Sequence, residues 1–287
     1  MNFVSKSFLF FSFILLTLFL VTPVLAFNKP VPPKAPSAPS APEVPAPPDV
    51  DGIYDVPERP GMKVKVFAHP AKPKTPPKPG SSPSPSPSAA VSNLLACGLT
   101  DPDSSSVVTK AGWKIPAGNI TYLLNTSSVP TSVGKTNLPA IVKAGFDQYN
   151  LATGGIVNFV KGPDTTVSRA RLDGKNIVTW GRASSGTLGV TYIWYYPSTG
   201  LAVEIDTVMN TRYKWTWSNS NSCADSTTYD AQNIMTHELG HWLGLSDEYN
   251  AGAFSNNTMY GYGSVNEVKK NTLTTGDISG VAAIYSP

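Results

Sequence analysis

The sequence has no surplus of basic residues outside its first 90 positions. Between residues 91 and 287, 13 lysines and arginines stand against 14 aspartates and glutamates, so the formal net charge of +3 originates in the first 90 positions. Proteins that bind nucleic acids present clustered lysines and arginines to the phosphates. A near-neutral segment without a basic stripe therefore argues against nucleic acid as a partner.

The sequence also lacks a hydrophobic run of membrane-spanning length. Its main apolar run, residues 8–21, is shorter than the roughly 20 residues that span a bilayer. Lys6 precedes the run and Val24-Leu25-Ala26 follow it, which is the order of charge, apolar core and cleavage site in a secretory signal peptide. We predict that residues 1–26 are a signal peptide and that the mature protein is secreted, without membrane contact after cleavage. An uncleaved anchor is the alternative.

Cysteine is scarce, with only Cys97 and Cys223 in the chain. In an exported protein, a single pair of cysteines usually forms a disulfide. We predict a bond between them, which would tie the start of the folded domain to the loop that precedes the metal-site helix described below.

Proline is concentrated in one segment, because 19 of the 27 prolines fall within residues 28–88. Such a segment buries too little apolar surface to fold and is expected to be extended. We predict that residues 27–90 are a disordered arm, either a linker that could associate the protein with a cell wall, or a propeptide. The linker is the favoured interpretation, and residues 62–67 are a short strand or docking patch within the arm. Residues 91–287 then form one domain.

The folded domain alternates between strand and helix patterns. Residues 120–124, 156–160, 177–180, 188–196 and 201–210 are rich in β-branched and aromatic residues and predict strands. Apolar residues at helical spacing between positions 141 and 149 predict one helix, and Asp230 is a suitable N-cap for a second. Thr274 and Asp277 form the capping pattern of a last helix within residues 273–285.

The second of these helices carries the residues that suggest chemistry. His237 and His241 are four positions apart and therefore lie on one helical face, where two imidazoles can hold one zinc ion. Glu238 is adjacent to His237, which is the place of a general base for water activated by that metal.

A third ligand is predicted just beyond this helix. Gly244 can adopt the left-handed conformation that ends a helix, so that the chain turns back and Asp247 reaches the metal. Glu248, one position further, is the alternative ligand. Three protein ligands leave a fourth position for water, which is the catalytic arrangement of zinc.

These residues resemble the metzincin signature HExxHxxGxxH, with Asp247 in place of the last histidine. Met259, 12 positions beyond Asp247, resembles the methionine of the Met-turn that lies beneath the metal in that family. Residues 192–206 resemble the edge-strand hairpin of matrixin-type proteases, and residues 273–285 resemble their last helix. The sequence is thus similar to the matrixin-like metzincins over most of residues 113–285.

The resemblance implies an α+β, metzincin-type catalytic domain with a twisted, mostly parallel sheet, an antiparallel edge strand, an active-site helix, a Met-turn and a C-terminal helix. It implies a zinc-dependent endopeptidase that holds one catalytic Zn²⁺ through His237, His241 and Asp247. A protein or peptide substrate would pair with the edge strand by main-chain hydrogen bonds. Beside the resemblance, the hydroxyl of Tyr260 or Tyr262 is a candidate to contact the substrate or the developing oxyanion, with a packing role as the alternative. We expect the enzyme to be a monomer.

The resemblance also bears on regulation and on further metals. The sequence around Cys97 resembles the cysteine switch of matrixin propeptides, in which a thiolate closes the metal site, and this is the alternative to the disulfide. His69 is the one spare histidine, so the second, structural zinc of animal matrixins is predicted to be absent. Asp173-Gly174 is more simply a turn than a calcium loop, although Ca²⁺ binding stays open. The alternative function is a non-catalytic cell-surface binding module that retains a metal site.

Overall fold

The computed structural model describes residues 44–72, 102–218 and 227–286. The predicted signal peptide and both cysteines, Cys97 and Cys223, lie outside these ranges, so the disulfide and the cysteine switch stay predictions. No helix within the three ranges combines the length and the apolar character needed to cross a bilayer.

The described residues form eleven strands, four α-helices and two short 3-10 helices. The strands are β1 (Val44–Pro45), β2 (Gly52–Asp55), β3 (Lys63–Pro70), β4 (Gly118–Leu124), β5 (Val157–Lys161), β6 (Arg171–Leu172), β7 (Asn176–Gly181), β8 (Thr187–Tyr196), β9 (Leu201–Asn210), β10 (Trp215–Thr216) and β11 (Tyr229–Asp230). The helices are α1 (Leu138–Ala152), α2 (Ala231–Trp242), α3 (Ala251–Phe254) and α4 (Thr275–Tyr285), with 3-10 helices at Thr126–Ser128 and Lys269–Asn271.

Seven strands form one sheet in the order β2-β3-β8-β9-β7-β4-β5. β9, β7, β4 and β5 are mutually parallel, and β8 is antiparallel to β9. The turn between β8 and β9 reverses the chain at Gly200, whose φ of +65° suits glycine. The sheet is therefore mixed, with parallel pairs from β9 to β5 and antiparallel pairs from β2 to β9, and together with the C-terminal helix it confirms the predicted α+β class.

β3 belongs to the proline-rich arm, and it pairs antiparallel with β8, while β2 pairs with β3. The prediction of a disordered arm therefore does not hold for residues 44–72, and β8 is not an edge strand in this chain. The reason is local composition, because residues 61–69 contain no proline and two lysines alternate with two valines between Lys63 and Val66. Both valines are buried, and such alternation favours a strand.

The core lies on both faces of the sheet. α1 and α2 pack on one face, and they come close at Gly145, where a Cβ would lie 2.8 Å from Leu239 Cδ1. Alternate residues of β8 point to a second hydrophobic cluster, which includes Val66 and Trp194. The arm therefore contributes side chains to a buried cluster.

The ends of α2 follow from two local features. Asp230 caps the helix, because its side chain accepts the backbone N–H of Asn233 at 2.8 Å, as predicted. Beyond the helix, Gly244 has a φ of +90°, and a Cβ there would lie 2.2 Å from Trp113 O. Only glycine fits this left-handed and close position, so the chain turns back as expected.

The last helix, α4, is tied to the loop near α2 by one carboxylate. Thr274 and Asp277 form the predicted capping box. The buried Asp277 side chain also accepts the backbone N–H groups of Thr258 and Met259, at 2.9 and 3.2 Å. The helix cap therefore also fixes the turn that contains Met259.

Replacing Asp277 by alanine is expected to lower the free energy of unfolding by about 2–4 kcal/mol, because several buried donors lose their acceptor. Urea unfolding followed by circular dichroism measures the change. Asp147→Ala is the control, since Asp147 pairs with the exposed Lys143 on the surface of α1 and should contribute at most about 0.5 kcal/mol. Equal destabilisation by both variants would contradict the role of Asp277.

Candidate metal centre

α2 presents two histidines on one buried face. His237 and His241 are fully buried, and their ring centroids lie 5.0 Å apart with nearly perpendicular planes. Burial lowers the pKa of both imidazoles, that of His241 to about 3. Both are therefore neutral near neutral pH, which is the state in which an imidazole nitrogen binds a metal.

Each of these imidazoles is oriented by a backbone carbonyl. Nδ1 of His237 lies 2.8 Å from Thr258 O, and Nδ1 of His241 lies 2.9 Å from Leu245 O. A neutral imidazole that faces a carbonyl donates its Nδ1 proton to it, which leaves Nε2 with a free lone pair. The two carbonyls therefore prepare both Nε2 atoms as ligands.

Asp247 returns toward the histidines after the end of α2. Its Oδ1 lies 3.0 Å from His237 Nε2 and 3.6 Å from His241 Nε2. Glu248 points elsewhere, because its Oε1 accepts the backbone N–H of Thr109 at 2.8 Å. The geometry thus favours Asp247 over Glu248 as the third ligand.

The three facing atoms, His237 Nε2, His241 Nε2 and Asp247 Oδ1, are buried and have no hydrogen-bond partner among the described residues. Unpaired buried polar atoms are costly unless something else satisfies them. Ligands held about 2.0–2.2 Å from a tetrahedral zinc stand roughly 3.3–3.6 Å apart, which the observed separations approach. Two neutral imidazoles and a carboxylate therefore fit Zn²⁺.

Glu238 lies beside these atoms with one oxygen fixed and the other free. Oε2 accepts a hydrogen bond from Thr191 Oγ1 at 2.6 Å, and Thr207 Oγ1 lies 2.8 Å from the same hydroxyl. Oε1 is buried and unpaired in the described part of the chain. Burial raises the pKa of Glu238 to about 8, and a cation held by the neighbouring ligands would lower it. The carboxyl can thus exchange a proton near neutral pH.

Met259 packs directly against α2 between the two histidines. A Cβ at Gly240 would lie 2.2 Å from Met259 Sδ, and the methionine is fully buried. The Tyr149 hydroxyl lies 3.9 Å from the same sulfur. Because Thr258, the preceding residue, supplies the carbonyl that orients His237, this turn both supports the helix and aligns one imidazole.

Comparison with known protein families bears on the whole domain. The model of the matrixin family, peptidase family M10, matches residues 113–286, which is more than half of the chain. The chain belongs to the matrixin family. No curated protein matches it. Matrixin membership supports a metalloprotease that acts on proteins or peptides and uses zinc.

In this matrixin, two side chains from outside the family match cover the histidines. Phe67 of β3 stacks on His241, with ring centroids 3.8 Å apart and planes inclined by 3°, and His69 packs edge-on against His237 at 3.8 Å. One ring nitrogen of His69 lies within 4.8 Å of ligand atoms of His237 and Glu238. The sequence left His69 as a spare histidine of the arm. The alternating pattern of residues 62–67 signalled its strand, but not where the strand docks.

Tyr260 and Tyr262 follow Met259 in the matrixin loop. Their ring centroids lie 5.7 Å apart at an angle of 64°, and Tyr260 is buried. Their backbone carbonyls accept hydrogen bonds from the ammonium group of Lys270, at 2.5 and 3.0 Å. Sequence reasoning missed Lys270, since a lysine in a polar loop carries no signal of burial. The contact of the two tyrosines with substrate or oxyanion stays a prediction.

The turn at Asp173 is held by backbone hydrogen bonds to buried carboxylates. Glu204 accepts the N–H groups of Asp173 and Gly174, at 2.8 and 2.5 Å, and Asp206 accepts two further backbone N–H groups. Burial raises the pKa of Glu204 to about 7. These contacts make an ordinary turn, and Ca²⁺ binding stays a prediction.

Proposed function

We propose that this matrixin is a secreted, zinc-dependent endopeptidase, with Zn²⁺ held by His237, His241 and Asp247 and with Glu238 as general base. The observation that carries the proposal is the convergence of four buried atoms without partners in the described ranges: the three ligand atoms and Glu238 Oε1. Burying four polar atoms without partners lowers the stability of the fold unless an ion and a substrate bind to them. Such unpaired buried groups are typical of functional sites.

Each of these residues has a definite part in peptide hydrolysis. Zn²⁺, when bound, acidifies water and polarises the carbonyl of the scissile bond. Glu238 accepts a proton from the attacking water and then delivers it to the leaving amine. Thr191 holds Oε2 of Glu238, which leaves Oε1 free for this transfer. The carbonyls of Thr258 and Leu245 keep both imidazoles oriented.

We also propose that residues 27–90 act as a propeptide and not as a linker. β3 pairs with β8, the strand on which a substrate is expected to lie, and its side chains Phe67 and His69 cover the two histidines. A substrate cannot pair with β8 while β3 is there. Cleavage within residues 73–90, between β3 and the catalytic domain, would allow the arm to leave.

The proposal is tested with the full chain, folded and then cut within residues 73–90 by an added protease. The cut protein should contain one zinc ion and hydrolyse a quenched peptide, and a chelator should abolish hydrolysis until zinc is restored. The uncut chain should hydrolyse the peptide far more slowly. Zinc binding without hydrolysis, once the arm has dissociated, would instead favour a non-catalytic cell-surface binding module.

Gly189→Ala in the cut protein is expected to lower kcat/KM by at least about tenfold with unchanged zinc content, because misplaced catalytic groups are strongly penalised. A Cβ at Gly189 would lie 2.5 Å from Glu238 Oε1, so the carboxyl must move. Gly252→Ala on α3 is the control, since its nearest neighbour would be 3.4 Å away. Unchanged hydrolysis by Gly189→Ala would count against the position of Glu238.

Secretion and location rest on residues 1–26 and on the proline-rich arm. We propose export, association of only the uncut chain with a cell wall through the arm, and a monomer whose partners are peptides. N-terminal sequencing of the exported protein should show cleavage after Ala26. An intact N-terminus on a membrane-bound protein would favour the uncleaved anchor.

A further inference from the structure

The two carboxylate oxygens of Asp247 have different surroundings. Oδ1 faces both His237 and His241 and has no hydrogen-bond partner among the described residues, whereas Oδ2 lies 3.3 Å from the hydroxyl of Tyr249. A phenol keeps its proton near neutral pH, so Tyr249 donates and the carboxylate accepts. One oxygen of the proposed third ligand is therefore held by the protein, and the other is left for the metal.

The other two proposed ligands are each fixed by one hydrogen bond in the same way. The imidazoles of His237 and His241 face backbone carbonyls through Nδ1 and present Nε2. A carboxylate has two equivalent oxygens, and without a restraint it can turn either of them, or both, toward an ion. Tyr249 supplies that restraint on Asp247, so that all three ligands have one partner besides the metal.

Tyr249 itself is held by the loop that contains Met259. The N–H of Glu248 donates to Met259 O at 2.9 Å, and the N–H of Gly261 donates to Glu248 O at 2.8 Å. A Cβ at Gly261 would lie 2.4 Å from Tyr249 Cε1, so glycine lets the ring pack against the backbone at this point. The ring of Tyr262 lies beside it, with centroids 5.3 Å apart at an angle of 74°. The ring of Tyr249 therefore has a defined place.

Packing alone does not account for the hydroxyl of Tyr249. The residue is 45% exposed, so the hydroxyl could point into water, yet it lies against an Asp247 side chain that is only 5% exposed. A phenylalanine would pack against Gly261 equally well but could not donate. Hydrogen bonds to ionised groups are roughly twice as strong as those between neutral groups. The hydroxyl is thus explained by the carboxylate that it contacts.

We propose that Tyr249 is a positioning residue of the metal centre, which holds Oδ2 of Asp247 so that Oδ1 is the oxygen presented to the metal. The proposal rests on the proposed zinc site and adds to it a residue that contacts a ligand and not the ion. Without the hydroxyl, the carboxylate is free to rotate, and metal binding must then restrict that rotation. The cost appears as weaker metal binding.

The first test measures the zinc affinity of the uncut chain and needs no catalysis. Tyr249→Phe keeps the ring and removes only the donor, and it should weaken zinc binding by roughly 10- to 100-fold, the usual effect of losing a group that orients a ligand. Competition with a fluorescent zinc chelator, followed until the value no longer changes, measures the affinity. Tyr196→Phe is the matched control and should bind zinc as the unchanged chain does, since Tyr196 packs against the second hydrophobic cluster.

A double substitution shows whether Tyr249 acts through Asp247. In the Asp247→Ala background, Tyr249→Phe should change the remaining zinc affinity by less than about twofold, because the oxygen that it holds is already gone. A weaker chelator serves as the competitor for this pair. Effects of the two substitutions that multiply, or unchanged affinity in Tyr249→Phe alone, would overturn the proposal.

Cobalt in place of zinc separates positioning from a general loss of stability. The visible absorption of bound Co²⁺ depends on the number and arrangement of its ligands. Tyr249→Phe should alter the position or intensity of these bands, because Asp247 is no longer held, whereas Tyr196→Phe should keep the spectrum of the unchanged chain. Weaker binding with an unchanged spectrum would indicate a merely structural role and would also overturn the proposal.

The same measurements separate this role from the proposed function. An unchanged chain that binds neither zinc nor cobalt would contradict the proposed zinc site, and the role of Tyr249 with it. Normal zinc binding in both the unchanged chain and Tyr249→Phe would remove only Tyr249 and leave the site intact.

Discussion

Glu238→Ala is expected to reduce peptide hydrolysis by the cut protein by about 10²- to 10⁴-fold, the usual contribution of a general base, without loss of zinc. The three proposed ligand atoms belong to other residues, and both imidazoles are oriented by carbonyls of Thr258 and Leu245. Hydrolysis of a quenched peptide and metal analysis of the same sample measure the two properties separately. Retained hydrolysis would remove Glu238 from the mechanism.

Two further variants separate the charge of Glu238 from its position. Glu238→Gln keeps an oxygen for the Thr191 hydroxyl but cannot take up the proton, so it should be as inactive as the alanine variant. Thr191→Val keeps the carboxylate and removes only its hydrogen bond. We expect it to retain zinc and to lose about tenfold in kcat/KM through misplacement of the base. Equal activity of Glu238→Gln and the unchanged protein would exclude proton transfer by this residue.

Asp247→Ala is expected to weaken zinc binding by at least about 100-fold and to abolish hydrolysis with it. Loss of groups that merely orient ligands typically costs 10- to 100-fold in metal affinity, and loss of a ligand should cost more. Within the described ranges, Asp247 is the only acidic residue whose carboxylate lies close enough to both His237 and His241 to share one metal ion with them. Competition with a fluorescent zinc chelator measures the affinity, and His237→Ala provides the reference for a lost ligand.

Glu248→Ala is the matched control for this prediction, because it removes the neighbouring carboxylate. Glu248 holds the backbone N–H of Thr109, so its loss should reduce stability by about 1–3 kcal/mol and leave zinc affinity within a few-fold of the unchanged protein. The opposite outcome, with zinc lost in Glu248→Ala and kept in Asp247→Ala, would move the third ligand by one residue.

The metal-site helix could be predicted because its determinants are local. The spacing of four positions from His237 to His241 places both on one helical face wherever the helix lies. Asp230 caps the helix through a contact with Asn233, only three positions away. Gly244 ends the helix because glycine readily adopts the left-handed conformation found there. The sequence favoured Asp247 but left Glu248 as an alternative, because a shift of one residue in a loop depends on contacts with distant segments, such as Thr109.

The arm shows why the remaining features required the fold. Proline content predicts disorder as an average, whereas the short run without proline around Lys63–Pro70 forms a strand once β8 is available to pair with it. Nothing in the sequence relates His69 to Lys270, which is 201 positions away. Their contact depends on how the arm and the loop after Met259 meet, and only the tertiary structure specifies that.

The sequence by itself determined three features of this chain: a zinc-type histidine pair with an adjacent acid, a capped helix that carries the pair, and the order of elements of a matrixin. Spacing and local propensity encode these features. The tertiary structure alone decided that Asp247 is the acid that faces both histidines and that the chain's own β3 lies across them. The physical reason is that contacts between distant segments depend on the packing of the whole domain and leave no periodic signal in the chain.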